Sequence, residues 1–363
     1  MPNWYLGAVL CIAPFFIKIA PQMIHANSWW FYLKIISILS ACLYGFAVKR
    51  KEVLIATLCV VATCFVSVNP YGIYEFVHMD ATLSGLLFFA FIMGQRVSAS
   101  AVYGSLAFIC LAQCLWLWVE HLGINPFMQY LSAVTSVKAV ILKPDSYTVN
   151  GSLGHINHSA ALIAATIPFI NKKFWIIPVI TLGIFGSALP IFCGLLAMAI
   201  VLAHKFGRVK YVIFAVALAA SVSVLFDASI IGTNERLKVW RFFQSWTDIS
   251  LFGQGFGIIP SRFAQVAQSA LGGERFLSLH NELLEIYAIF GIIGVICAGY
   301  LLKSMFLKPK YPEVHACALV ILVNALGNFS FHVAPIFIIF ITCYALLIQS
   351  GEKQDGSNNS KKW

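Results

Sequence analysis

One arginine breaks an otherwise regular helical pattern in residues 233–248. At about 100° per residue, the apolar side chains share one face, and such a face suits a helix lying on a membrane surface. Arg236 falls inside this apolar arc, between the positions of Phe243 and Trp240. Its guanidinium either reaches water along that face or points into the protein toward an anion such as phosphate. The apolar face comprises Val239, Trp240, Phe242, Phe243 and Trp246.

A histidine precedes the apolar run at 281–302. Ser278 is a candidate N-cap, which would place His280 in the first turn of a helix. The helix dipole disfavours a charged imidazole there, so a neutral His280 could act as a general base. The alternative is a histidine at a membrane interface whose ring is bonded to backbone or water.

Two further motifs could bind a ligand. His155 and His158, spaced i and i+3, could form a three-histidine metal site with His280. The alternating glycines Gly253, Gly255 and Gly257 could suggest a nucleotide, but no strand precedes them. We therefore interpret these glycines as a sharp turn near a membrane.

The composition fixes the kind of element that must position these residues. Of 363 residues, 60% are hydrophobic and 10% are charged, against about 25% charged in soluble proteins. This excludes a soluble enzyme, a disordered chain and a secreted disulfide scaffold. The ten cysteines all fall in apolar runs, where they serve as small core residues. We predict an all-α polytopic membrane bundle.

Twelve apolar runs are near the length that crosses a hydrocarbon core of about 30 Å. Lys and Arg residues follow the even-numbered runs, which predicts that both termini are cytoplasmic. The net charge of +10 is therefore a topology signal, and no nucleic-acid partner is expected. The predicted spans are 4–24, 29–48, 53–69, 81–95, 99–119, 156–171, 174–188, 189–204, 211–227, 281–302, 314–330 and 333–349.

The predicted organisation is one transmembrane domain, residues 1–349, and a polar cytoplasmic tail, residues 350–363, without regular structure. Two connections on the outer side are long: residues 120–155, and the large periplasmic loop 228–280 between spans 9 and 10. Connections of this length are usually functional. Lys18 and Lys34 lie in the outward halves of spans 1 and 2, where each either serves a site or extends to the surface.

The order of motifs resembles the O-antigen ligase and O-antigen polymerase superfamily. That family shares R-x-x-x-W, G-x-G, H-N-x-x-L-E and G-I-I-G elements around one large periplasmic loop. The stretch at residues 151–160 is similar to the family's G-x-x-G-N-P-N-x-x-A start of a membrane helix. The likeness covers about residues 150–300, and only topology and hydropathy match elsewhere. The corresponding elements here begin at Arg236, Gly253, His280 and Gly291.

The resemblance implies an inverting, metal-independent glycosyltransferase in the bacterial inner membrane. Such enzymes take a glycan from undecaprenyl diphosphate and pass it to a hydroxyl of the lipid A core or of a growing glycan, without a cofactor. The resemblance makes His280 the base that deprotonates this hydroxyl and Arg236 the stabiliser of the diphosphate. Further substrate-binding candidates are Arg241, Arg262, Asn157, Asn281 and Lys34.

This chain departs from the family pattern at two places. The Asn-Pro pair is His155-Ile156 here, with Asn157 kept. An arginine that many members carry after a serine is missing near Ser187, and Lys18, Lys34 or Arg241 could replace it.

Three activities remain open. A ligase and a polymerase are almost equally favoured, with a slight preference for the ligase, because the two differ in the acceptor and the sequence does not encode it. A transporter of polysaccharide or of its lipid carrier would be favoured by broken helices at matched places in two halves. The sugar, the linkage and the oligomeric state also stay open.

Overall fold

The computed structural model is all-helical, with no strand among the residues that it describes. Among the described residues, two helices are long and apolar enough to cross a membrane, Ala99–His121 and Glu282–Leu302, and several others are shorter and apolar. The described residues are 3–15, 85, 88, 89, 92, 93, 95–124, 149, 151–153, 155–205, 234–248, 250–255, 258–271, 279–303, 311–328, 331 and 333–359. The helices are α1 (Asn3–Ile12), α2 (Ala99–His121), α3 (Ile156–Thr166), α4 (Ile176–Phe185), α5 (Ala188–Lys205), α6 (Asn234–Trp246), α7 (Ala264–Leu271), α8 (Glu282–Leu302), α9 (Pro312–Ala325) and α10 (Ala334–Asn359).

Where the predicted spans fall on these residues, the helices begin within about two positions of the predicted starts, whereas the last one, α10, ends at Asn359 rather than at 349. Residues 16–24 of the first predicted span lie outside the described residues. The run at 174–204 divides at Gly186 and Ser187, between α4 and α5. The predicted spans 29–48, 53–69 and 211–227 lie outside the described residues, as does most of 81–95. The prediction that the tail has no regular structure is wrong for residues 350–359, because α10 continues to Asn359.

Helices α3 and α9 are antiparallel. Phe169, in the 3₁₀ turn that continues α3, packs edge-on against Tyr103 at 5.1 Å between ring centroids. Tyr311, the N-cap of α9, packs against the same ring at 6.4 Å. The end of α3 therefore meets the start of α9. The start of α3 and the end of α9 lie together at the opposite end, which we call the site end.

The turn that leads into α3 is anchored to α2. The backbone N–H of Gly151 donates to the buried carboxylate of Glu120 over 2.7 Å. Gly151 has φ +72°, and a Cβ there would overlap the side chain of Ser159. The glycine is required by this close approach as well as by the backbone angle.

Helix α8 is interrupted halfway along by Gly291, with φ +67° and ψ −160°. Residues 250–255 fill the interruption. The amides of Gln254 and Gly255 donate to the carbonyls of Ala288 and Ile289, at 2.8 and 3.1 Å. The amides of Ile292 and Ile293 donate to the carbonyls of Ser250 and Leu251, at 3.0 and 3.2 Å. The loop thus bonds backbone groups that the break releases.

Two glycines make this close packing possible. Gly253 has φ +73°, and a Cβ there would lie 2.6 Å from the amide nitrogen of Gly291. A Cβ on Gly291 would in turn overlap the carbonyl of Leu251. Gly255 also has positive φ, +88°. The interpretation of Gly253 and Gly255 as residues of a sharp turn agrees with this geometry.

Candidate functional site

Helix α6 carries Arg236 and packs on protein through its apolar face. Val239 and Phe243 are buried, whereas Lys238 and Arg241 on the other face are exposed. Burial against protein therefore explains the apolar face of α6 without contact with a membrane surface. The buried cluster beneath α6 comprises Val239, Phe243, Ile258, Ile259, Phe263, Ala267, Leu279 and Ala288.

The guanidinium of Arg236 points into the bundle. Its Nη1 donates to the carbonyl of Gly327, in the turn that follows α9. Arg236 is half-buried, and burial lowers the pKa of its guanidinium. A guanidinium has five N–H donors, of which the bond to Gly327 uses one. This cation can therefore offer hydrogen bonds to an anion at the site end.

His280 has an unusual backbone conformation, with φ +53°. It lies before the helix rather than in its first turn, because Asn281 and not Ser278 is the N-cap of α8. The Oδ1 of Asn281 accepts from the amides of Leu283 and Leu284, both at 3.1 Å. A left-handed conformation in a residue other than glycine persists only where its surroundings fix it.

Two hydrogen bonds fix the residue before His280. The indole Nε1 of Trp240 donates to the carbonyl of Leu279 over 2.6 Å. The amide of Leu279 donates to the buried carboxylate of Glu285 over 2.7 Å. Trp240 lies one helical turn after Arg236. Adjacent turns of α6 therefore carry the guanidinium and the indole that bonds Leu279, the residue before His280.

A second link joins Arg236 to the start of α8. The buried carboxylate of Glu282 accepts from the amide of Phe331 over 2.7 Å. Phe331 follows Gly327 in the same connection between α9 and α10, so one short connection bonds both Arg236 and Glu282. The sequence alone did not indicate these roles of Trp240 and Glu282. Their spacing, one turn from Arg236 and two residues from His280, was the available signal.

His155 lies at the same end of the bundle. It is the N-cap of α3, and its Nδ1 accepts from the amide of Asn157 over 3.2 Å. Its ring contacts that of the buried His158 at 5.0 Å between centroids. Because α3 is antiparallel to α9, His155 is at the level of Gly327, the residue that binds Arg236.

The charge of Arg236 acts on His155. Desolvation by the surrounding protein lowers the pKa of His155, although the residue keeps an exposed surface, and the nearby Arg236 cation lowers the pKa further. An Nδ1 that accepts a hydrogen bond carries no proton, so the proton of the neutral ring is on Nε2. Both effects favour the neutral form of the His155 imidazole.

The remaining candidates are placed differently. Arg241 is exposed and lies five residues from Arg236, about 140° around α6, so it faces away from the guanidinium. Arg262 is exposed beside Phe263, which packs against Phe243, about two turns along α6 from Arg236. Lys18 and Lys34 lie outside the described residues.

The asparagine candidates lie at two helix starts. Asn157 is half-buried in the first turn of α3, beside His155. Asn281 caps α8, and Glu285 braces Leu279. Within the part of the chain that the structure describes, no group of three or more His, Cys, Asp or Glu side chains could hold a metal ion. The histidines His155, His158 and His280 do not form such a group.

The site end therefore combines a half-buried cation, a neutral imidazole and a second histidine on a strained backbone. This combination can bind an anion and take up a proton. Comparison with protein-family models finds no match for this chain, and comparison with curated proteins finds none.

Proposed function

We propose that this chain is a membrane glycosyltransferase that moves a glycan from undecaprenyl diphosphate to an acceptor hydroxyl, with O-antigen ligase as the favoured activity. The observation that carries the proposal is a set of three bonds around Arg236 and His280. Trp240, one turn from Arg236, bonds Leu279 beside His280, while Gly327 and Phe331 of one connection bond Arg236 and Glu282. The motif order of the sequence is the second support.

The proposed setting is the inner membrane. In this proposal the apolar helices belong to a bundle of about twelve spans with cytoplasmic termini, and the site end faces the periplasm. The all-helical fold and the length of α2 and α8 are consistent with such a bundle. A lipid-linked donor would then present its diphosphate at the level of the site end.

The proposed reaction is a single displacement. The acceptor oxygen forms a bond to the anomeric carbon, and the bond from that carbon to the diphosphate oxygen breaks. His280 takes the acceptor proton, and the diphosphate leaves with the bonding electron pair. Arg236 stabilises the charge that develops on the leaving group. In-line attack inverts the anomeric carbon, and the scheme requires no metal ion.

The acceptor separates the two enzyme activities within the proposal. A ligase passes the finished chain to the lipid A core, and a polymerase passes it to another lipid-linked unit. The substrate-binding roles of Asn157, Asn281, Arg241, Arg262 and Lys34 belong to the same proposal. Arg241 would act on sugar or on outer phosphates because it lies on another side of α6 from Arg236, and Arg262 would do so because it lies about two turns along α6 from Arg236.

A transporter is the second candidate, because α8 is discontinuous at Gly291. Transporters use the exposed half-helix ends of such breaks to bind substrates and ions. Here the carbonyls of Ala288 and Ile289, before the break, and the amides of Ile292 and Ile293, after it, bond residues 250–255. This occupation of the half-helix ends favours the enzyme over the transporter.

The test compares surface polysaccharide and lipid-linked glycan in the host strain lacking this protein. The strain is complemented with wild type, His280→Ala, Arg236→Ala or the matched control Lys238→Ala, an exposed cation on the same helix. We expect both site variants to match the deletion and Lys238→Ala to match wild type. Expression in the membrane is checked for each.

The accumulated product identifies the activity. Long chains on the lipid carrier with none on the core indicate a ligase, and single units on the core indicate a polymerase. Full restoration by an expressed His280→Ala variant contradicts the catalytic assignment and favours the transporter.

A further inference from the structure

The segment that fills the break in α8 has apolar side chains directed outward. Leu251 is 59% exposed and Phe252 is 47% exposed. The described residues of this segment, 250–255, carry no charge. In contrast, the polar face of α6 is exposed at Lys238 and Arg241. The exposed side chains of Leu251 and Phe252, beside a long apolar helix, form an apolar surface that suits lipid or protein better than water.

The position of the break along α8 identifies that environment. A hydrocarbon core of about 30 Å requires about 20 helical residues. Counted back from Lys303, the first charged residue after the apolar run, this length begins near Leu283. Gly291 then lies about 12 Å inside the core. If the core began at Gly291 instead, the run to Lys303 would be too short to cross it.

The surface of α8 supports the same placement. Only 17% of its most apolar 18-residue stretch is buried in protein. Its exposed side chains include Ile296 at 64% and Tyr300 at 44%. Leu251 and Phe252 lie beside this helix, because the carbonyl of Leu251 accepts from Ile293. Their exposed surfaces extend the exposed apolar surface of α8.

The hydrogen bonds of residues 250–255 suit this depth. Non-helical backbone at the depth of the hydrocarbon core is tolerated only where it is buried in protein or lines a water-filled cavity, so the backbone of this loop must face α8 and only its side chains can face lipid. Four backbone bonds tie the loop to α8. The amide of Ser250 donates to the hydroxyl of Tyr287 at 3.3 Å, and the amide of Gly253 donates to the hydroxyl of Ser250 at 3.0 Å.

We infer that residues 250–255 form a re-entrant loop within the membrane, whose Leu251 and Phe252 contact the hydrocarbon chains of the lipid. The inference rests on the membrane placement in the proposed function. It changes the expected topology, because this part of the segment 228–280 then lies in the bilayer rather than outside it.

The test places the photoreactive residue p-benzoylphenylalanine at Phe252 in the full chain, in vesicles of phosphatidylethanolamine and phosphatidylglycerol. Illumination is followed by intact-protein mass spectrometry. The same residue at Ile296 is the control for lipid contact, and at Lys238 the control for water. We expect phospholipid adducts at positions 252 and 296, with on the order of tenfold less at 238.

The controls separate the possible failures. Adducts at 296 but none at 252 overturn the re-entrant loop and leave the membrane proposal intact. No lipid adduct at either position overturns the membrane placement as well. A product of doubled mass, or a captured polypeptide, shows that protein covers this face and overturns lipid contact. If the variant at 252 does not fold, the same measurement at Leu251 decides.

Discussion

The indole of Trp240 donates a hydrogen bond of 2.6 Å to the carbonyl oxygen of Leu279, the residue before His280. This bond connects α6, which carries Arg236, to the strained backbone that presents the imidazole. A glycosyl transfer that needs both side chains depends on their relative position, which this bond helps to set.

Trp240→Phe should therefore lower activity without removing a catalytic group. The ring still packs, and the lost hydrogen bond costs about 1 kcal/mol of stability. We expect turnover to fall about ten- to a hundredfold because His280 is no longer held in place. The measurement is glycan transfer by purified protein, with thermal unfolding recorded alongside.

The control for this prediction is Trp246→Phe. Trp246 lies on the same helix and packs against Phe263 at 5.3 Å between ring centroids. It is farther from Arg236 along α6, so its replacement should change stability and leave turnover near wild type. Equal losses of turnover in both variants would show that Trp240 acts through packing alone.

Glu285 offers a test of the second bond to Leu279. Glu285→Gln keeps a side-chain oxygen that can accept from the Leu279 amide, so it should retain most activity. Glu285→Ala leaves a buried amide without that acceptor and should cost about 1–3 kcal/mol. Thermal unfolding and glycan transfer of both variants check this. If the glutamine variant is inactive but folded, the carboxylate has a chemical role rather than a bracing one.

The two close-packed glycines should be sensitive to a single methyl group. Gly253→Ala adds a Cβ against the backbone of Ile289 and Gly291, on a residue whose positive φ costs an L side chain about 1–2 kcal/mol. We expect a clear loss of folded protein, measured by thermal unfolding in detergent. Gly299→Ala is the matched control, because its Cβ would meet nothing within 4 Å.

Gly253→Ala and Gly299→Ala should change stability in opposite directions. Alanine in a helix is favoured over glycine by about 1 kcal/mol, so Gly299→Ala should hold or raise stability. A Gly253→Ala variant as stable as the control would contradict the packing of residues 250–255 into α8.

The helix positions were largely predictable, because long apolar runs bounded by charge set them. The run at 99–119 became α2, and the run at 156–171 became α3 with its 3₁₀ turn. The break at Gly291 was not predictable from hydropathy, since its partner residues 250–255 lie some forty positions earlier. The predicted N-cap of α8 was also wrong, because Asn281 caps the helix; Ser and Asn are both good N-caps, so the residue type alone did not distinguish the two positions.

One residue of the candidate site, Arg236, could be predicted from the pattern of apolar residues. Arg236 was singled out because it interrupts an apolar face, and it does point inward. Trp240 stood in the sequence as an apolar residue and as the tryptophan of the R-x-x-x-W element, but the sequence does not show that its indole bonds Leu279. Arg241 lies about 140° around α6 from Arg236, and Arg262 lies about two turns along α6 from it, so charge alone did not identify residues beside the guanidinium.

The charge of Arg236 should be measurable at His155. Arg236→Gln removes the cation that lowers the pKa of His155, so this pKa should rise toward its ordinary value. Inorganic pyrophosphate bound to wild type should shift it in the same direction by offsetting the charge. Nuclear magnetic resonance of labelled histidine, assigned with His155→Asn, checks both shifts.

The control is Lys238→Gln, which removes an exposed cation from the same helix and should leave the pKa of His155 unchanged. The lowered pKa of His155 also predicts how the stability of the fold depends on pH. The unfolded chain takes up a proton at about pH 6.5 before the folded His155 does, so stability should fall as the pH drops below that value. This loss should be smaller in Arg236→Gln. A pKa of His155 that is equal in wild type and Arg236→Gln would show that the two groups are not neighbours at the site end.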